Sequence, residues 1–320
     1  MSSGADLIPE HPAHKIIDSS KLTTFMSCHR KFFFRYLLWW DSVYPNNDLV
    51  FGSSYHAAMD KLYETGNPMA AYNSFLQTYR ESFDEDTDEI FAPKDPTNAL
   101  RAINMYGGRF FGNDMRNSKV LHREVAGRVL ISDDSVMTFK LDLLLQDKKT
   151  NEIQIVEYKT SKWKYHDWAD RFTNTMQVFT YLHALHCLFP DNDEYKLFIR
   201  CAFLSKNKKE PVILEQCEIK KTDDQMQEWL SRVNYWYNKL QDEMVLLAEC
   251  QDTDPVLEAF PKNDTACFSY QKMCQFFDVC SLWPNPLQHC HIEPNGFVTV
   301  VWNPLESPEI KTTIDEPIGR

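Results

Sequence analysis

The run Glu152-Ile-Gln-Ile-Val-Glu-Tyr-Lys159 alternates with period two, and its apolar face ends in a carboxylate beside an amine. Successive side chains of a strand point to opposite faces, so Ile153, Ile155, Glu157 and Lys159 share one. The preceding run Val136–Gln146 is also rich in strand formers. The polar Asp147-Lys-Lys-Thr-Asn151 between the two predicts a hairpin. Such pairing brings Asp142, fifteen residues before Glu157, onto the adjacent strand.

Helical texture precedes this hairpin and mixed texture follows it. Ser19 or Ser20 can cap a helix in which Leu22, Phe25, Met26, Phe32 and Phe33 recur at helical spacing. Further helices are predicted over Ser53–Glu64, Met69–Tyr79 and Pro96–Met115. Beyond the hairpin come a helix across Thr173–Leu188, strands at Lys196–Leu204 and Pro211–Lys220, and a long helix over Asp223–Glu249. The pattern predicts an α/β fold with a mixed central sheet flanked by helices. Four segments are expected: a flexible lead (1–15), an N-terminal helical part (16–120), a core (121–250) and a proline-rich, cysteine-bearing tail (251–320).

The 320 residues allow one large domain or two modest ones. No apolar run approaches the ~18 residues of a membrane helix, and the polar start is no signal peptide, so a soluble cytoplasmic protein without membrane association is expected. Nine cysteines in such a compartment argue against a disulfide framework. The net charge of −12 speaks against a protein that coats nucleic acid. It leaves room for an enzyme with a local basic track, and Lys15, Lys21, Arg30, Lys31 and Arg35 supply one against Asp18 alone.

Asp142 and Glu157 on neighbouring strands can share a hard divalent cation such as Mg²⁺ or Mn²⁺, which prefers oxygen ligands. Lys159 can then orient or deprotonate an attacking water and offset charge on a phosphorane-like transition state. The bland alternative is a solvated Glu157–Lys159 pair on an edge strand. His56, in Phe51-Gly-Ser-Ser-Tyr-His56, falls on a predicted helix. Gln177 and Tyr181 stand four apart on the helix after the hairpin and so share a face.

Five pieces occur in one order: Ser20-Lys-Leu-Thr-Thr-Phe-Met-Ser-Cys28-His-Arg-Lys-Phe-Phe-Phe-Arg-Tyr36, Phe51-Gly52 to His56, Lys140-Leu-Asp142, Glu157-Tyr-Lys159-Thr-Ser and Gln177-Val-Phe-Thr-Tyr181. Together they resemble the RecB-like branch of the PD-(D/E)XK nucleases, which includes the RecB and AddB nuclease domains and the small CRISPR-associated exonucleases. Leu141 stands where the family name calls for proline. The resemblance implies metal-dependent hydrolysis of DNA, with His56, Asp142, Glu157 and the Tyr158 carbonyl as metal ligands and Lys159 as the catalytic amine. Gln177 and Tyr181 would contact DNA or position the site, and Arg30, Lys31 and Lys162 are further candidate DNA contacts.

Several RecB-like nucleases hold a [4Fe–4S] cluster on one cysteine of the first helix and three near the C-terminus. The resemblance implies that role for Cys28, Cys267, Cys274 and Cys280, and four thiolates are the ligation such a cluster takes. Six residues separate Cys267 from Cys274, where that group commonly has two. A structural Zn²⁺ would use the same four residues, and ordinary buried thiols are the remaining alternative, with Cys290 as a spare.

An exonuclease acting on single strands or ends, in recombination, repair or replication, is the function the resemblance implies. The alternatives are a structure-specific endonuclease with the same site and a non-catalytic DNA-binding scaffold. No phosphate-binding G-x-x-x-x-G-K-[ST] loop occurs, so a separate helicase or strand-annealing protein is the expected partner.

Overall fold

The computed structural model describes residues 3–162, 164–192, 195–269, 272–307 and 309–319. In chain order its longer helices are α1 (Ser19–Ser27), α2 (Asn47–Thr65), α3 (Pro68–Tyr79), α4 (Pro96–Tyr106), α5 (Met176–Leu188) and α6 (Asp223–Glu249). The strands used below are β1 (Ser118–Leu130), β2 (Val136–Asp147), β3 (Ile153–Ser161), β4 (Tyr195–Leu204), β5 (Val212–Ile219) and β6 (Thr312–Ile318). They form one mixed sheet in the order β6-β1-β2-β3-β4-β5. Strands β2 and β3 are the antiparallel hairpin read from the sequence, β3 runs parallel to β4 with α5 between them in the chain, and β5 returns antiparallel. The expected α/β class holds. No helix among the described residues is long and apolar enough to cross a membrane.

The chain divides into two units that are not contiguous in sequence: residues 1–44, 130–138 and 223–304, and residues 45–129, 139–222 and 305–320.

The second unit carries most of the sheet. Asn46 starts α2, its side-chain oxygen accepting from Asp48 N at 2.9 Å, and Gly66 (φ 67°) ends it in the left-handed conformation that a glycine adopts without steric cost. Alternation along β3 sends Val156 and Tyr158 into a cluster with Phe51, Tyr55, Met59, Ile103 and Tyr106 of α2 and α4. The opposite face is left for Glu157 and Lys159. A buried ion pair braces this unit, Arg200 Nη2 donating to Asp114 Oδ1 at 3.0 Å while Nη1 also reaches Tyr106 Oη at 2.7 Å.

In the first unit α1 is capped by Asp18, whose carboxylate accepts from Lys21 N at 2.7 Å, rather than by Ser19 or Ser20. A carboxylate serves the same hydrogen bond and also meets the positive end of the helix dipole. The lead expected to be flexible is packed over residues 3–15: Gly4 N donates to Cys250 O at 2.7 Å, and Ala13 is fully buried.

The basic track also differs from expectation, because two of its five charges, on Lys21 and Arg30, turn inward. Lys21 is buried and donates to the carbonyls of Ala13 and Ile16 at 2.6 and 2.7 Å. Arg30, expected to meet DNA, is 2% exposed, and its guanidinium holds Phe260 O at 2.9 Å and Leu257 O at 3.1 Å. It serves as a bracket for the proline-rich tail. Residues 257–263 of the tail thus lie against the segment that carries Arg30, where Asn263 Nδ2 also donates to Ser27 O at 2.7 Å. Residues 305–320, by contrast, belong to the second unit and supply the edge strand β6.

Candidate active site

Asp142 interrupts the apolar stretch of β2, between Leu141 and Leu143, and the register Leu143↔Val156 sets it beside Glu157. Its Oδ2 accepts from Tyr158 N at 2.9 Å, which fixes the carboxylate against the neighbouring strand. His56, two turns into α2, reaches the same place. Its Nδ1 lies 3.0 Å from Asp142 Oδ1 and its Nε2 3.0 Å from the Tyr158 carbonyl oxygen. Both partners are acceptors, so the ring bonds both only as the doubly protonated cation.

Glu157 and Lys159 sit on the face of β3 opposite Val156 and Tyr158. Lys159 Nζ donates to Glu157 Oε1 at 2.6 Å and to Gln177 Oε1 at 3.0 Å, while Gln177 Nε2 donates to Glu157 Oε1 at 3.0 Å. The amide of Gln177 therefore grips the carboxylate and the amine at once. Its nitrogen also donates to Tyr181 Oη at 2.8 Å, and Tyr181 is buried. Tyr181 faces Gln177 from within the fold and is not presented to solvent.

Glu124 of β1 is a member that the sequence reading missed. It is 1% exposed, and its carboxylate, the His56 ring and Asp142 present ligand atoms within 4.8 Å of one another. Lys140 Nζ stands 3.1 Å from Glu124 Oε2 and also pairs with Glu309. A backbone φ of 44° at Glu124 turns the strand locally. Glutamate seldom occupies that left-handed region, and such strain tends to gather at functional sites. Position 124 reads in sequence as one more polar residue of a strand, and nothing in the local pattern marks the turn that aims it inward.

Burial opposes charge on every one of these groups, and their mutual fields decide the outcome. Desolvation disfavours a charged His56, yet Asp142 and then Glu157 outweigh it and lift its pKa to about 9. Asp142 is likewise penalised by burial, but His56 and the Tyr158 N–H bring it down to about 2. Glu157 is raised to about 7 by desolvation and then by Asp142, against the pull of Lys159. Glu124 is raised to about 8 by desolvation and the same neighbour. Perturbation of this kind clusters where titratable groups do chemistry.

The donor set suits a divalent cation. Glu157 Oε2 is buried with no hydrogen-bond partner, and an unpaired carboxylate oxygen beside Asp142 is costly unless a cation or proton meets it. The ligand atoms that His56, Glu124 and Asp142 bring to one place, two carboxylates and one imidazole, are of the kind that holds a divalent cation.

Elsewhere, in the first unit, Cys28, Cys267, Cys274 and Cys280 line one cavity of about 100 Å³ together with Lys31. All nine cysteines are free. Cys290 is buried away from that cavity, bonded to the carbonyls of Leu287 and Leu7 at 3.3 and 3.5 Å. Lys162 follows β3 and pairs with Asp48 at 3.1 Å.

Residues 19–281 match the family model of the PD-(D/E)XK nuclease superfamily. Among solved structures the chain is similar to a protein of Eubacterium rectale described as a "putative exonuclease", at 16% identity and a TM-score of 0.43, over 74% of this chain and 82% of that one. It is also similar to the protein SSO0001, at 11% identity and a TM-score of 0.25, over 55% of this chain and 72% of that one. No curated protein matches it.

Proposed function

The chain belongs to the PD-(D/E)XK nuclease superfamily, and from that premise we propose that it hydrolyses DNA phosphodiester bonds as an exonuclease, on single strands or ends, in recombination, repair or replication. The observation that carries the reading is the Lys159 ammonium held 2.6 Å from Glu157 by the Gln177 amide, beside a buried carboxylate oxygen that lacks a partner.

In this reading Asp142, Glu157, His56 and the Tyr158 carbonyl hold Mg²⁺ or Mn²⁺, with Glu124 as a further carboxylate at the same place. Such a cation polarises a phosphoryl oxygen and lowers the pKa of a bound water. Lys159 supplies a fixed positive charge where the phosphorane oxygens develop theirs, and its amine can orient the water. Gln177 keeps that amine in place, and the Tyr158 N–H keeps Asp142 from rotating. A separate helicase or strand-annealing protein would present the strand.

The four-cysteine cavity belongs to the same proposal as the seat of a [4Fe–4S] cluster. Four thiolates are the ligation such a cluster takes, and a structural Zn²⁺ would use the same four residues. Lys31 is on the wall of this cavity and is kept as a candidate DNA contact.

Digestion of linear and covalently closed single-stranded DNA with Mg²⁺ or Mn²⁺ tests the mode of action. Mononucleotides or short fragments from the linear form, with the circle intact, is the expected result. Cutting of the circle would make the protein an endonuclease.

A further inference from the structure

Asp48, in the first turn of α2, is shared by two ammonium groups, with Lys94 Nζ 3.3 Å and Lys162 Nζ 3.1 Å from the same carboxylate oxygen. Lys94 is an unusual lysine. It is 4% exposed, its ammonium lies over the Phe51 ring at 5.8 Å, and desolvation lowers its pKa. Its backbone is fixed as firmly as its side chain, the carbonyl accepting from Asn47 Nδ2 at 3.2 Å and Tyr79 Oη at 3.4 Å. Lysines this buried are rare unless paired. Here two cations and the positive end of a helix surround one carboxylate, an excess of positive charge that suits an anion.

The elements that build this cluster also build the active site. Asp48 precedes His56 by eight residues on α2, about 12 Å along the helix axis. Lys162 follows Lys159 by three residues, just past the end of β3, at most roughly 10 Å of chain away. Cys201, the partner of Lys159 across β3 and β4, lies in the field of both Lys94 and Lys159. A strand whose scissile phosphate sits at Lys159 therefore has another phosphate, a few nucleotides along, within reach of the cluster.

We propose that Lys94 and Lys162 form a second phosphate subsite, which the Asp48 carboxylate fills in the free protein and a flanking phosphodiester of the bound strand takes over. This rests on the nuclease reading for its substrate. A phosphodiester and a carboxylate carry the same single charge, so the exchange leaves both lysines paired. The Asp48 side chain, already 35% exposed, moves out to water. The exchange costs affinity, because strand and carboxylate compete for the same two cations, and it makes binding depend on phosphates beyond the one that is cut.

The test is fluorescence anisotropy of a labelled single-stranded deoxyoligonucleotide with the full chain in metal-free buffer, titrated over a range of salt. Lys162→Ala should weaken binding about fivefold and lower the salt slope by about 0.7, the share of one phosphate contact on a single strand. Asp48→Asn, which removes the competing charge and keeps the shape, should tighten binding about fivefold. Both side chains are partly exposed, so neither variant depends on refilling a core. An Asp48→Asn protein that binds no tighter, or a Lys162→Ala protein with the wild-type salt slope, overturns the subsite. Failure of the nuclease reading would appear separately, as wild-type protein that cleaves no DNA when Mg²⁺ or Mn²⁺ is added.

Discussion

Replacing Gln177 by alanine removes two hydrogen bonds to charged partners, Glu157 Oε1 and Lys159 Nζ, each at 3.0 Å. Bonds of that kind contribute about 1.5–3 kcal/mol apiece. Gln177 is partly exposed, so water recovers some of this, and the expected loss of transition-state stabilisation is about 2–3 kcal/mol, or roughly 30- to 150-fold in kcat. The folded state should lose only about 1 kcal/mol, chiefly from the Tyr181 hydroxyl left without its donor. The assay is single-turnover hydrolysis of two substrates, a labelled oligonucleotide and bis(4-nitrophenyl) phosphate, which has no flanking strand. If Gln177 acts by holding Lys159 and Glu157, both substrates slow by the same factor. A loss confined to the oligonucleotide and expressed in KM would mean that Gln177 contacts DNA directly, and the positioning argument would fail.

Two other perturbations test separate parts of the account. Arg200→Met leaves Asp114 buried and uncompensated in the second unit, where both side chains are 6% exposed, and should cost about 3–5 kcal/mol in urea unfolding; a cost under about 1 kcal/mol would show that the pair is not a brace. Anaerobically purified protein should be brown with about four irons per chain, and Cys28→Ser or Cys274→Ser should bleach it while Cys290→Ser does not; colourless protein with stoichiometric zinc would replace the cluster by an ion.

The hairpin was legible because its alternation leaves little freedom: once Ile153 and Ile155 must be buried, Glu157 and Lys159 follow them onto one face, and the short polar turn sets Asp142 opposite. His56, Gln177 and Tyr181 are individually bland, and it was their order relative to that hairpin that marked them. Glu124 was illegible because its inward aim depends on a left-handed backbone at that residue, which no sequence pattern predicts for a glutamate. Arg30 was misread for a related reason. Formal charge says nothing about whether a guanidinium faces phosphate or two tail carbonyls, and here it faces the carbonyls. Strand β6 escaped notice because it pairs in parallel with β1, nearly two hundred residues earlier, and carries a proline near its end that reads as a breaker.

The central claim is that Glu157, with Asp142 and Lys159, forms the hydrolytic site. It is tested most directly by digesting end-labelled single- and double-stranded DNA with wild-type protein and with Glu157→Ala, both free of host nuclease, in Mg²⁺ or Mn²⁺. The account predicts metal-dependent cleavage by the wild type and none by the variant, with DNA binding largely retained. Wild-type turnover in Glu157→Ala would contradict it.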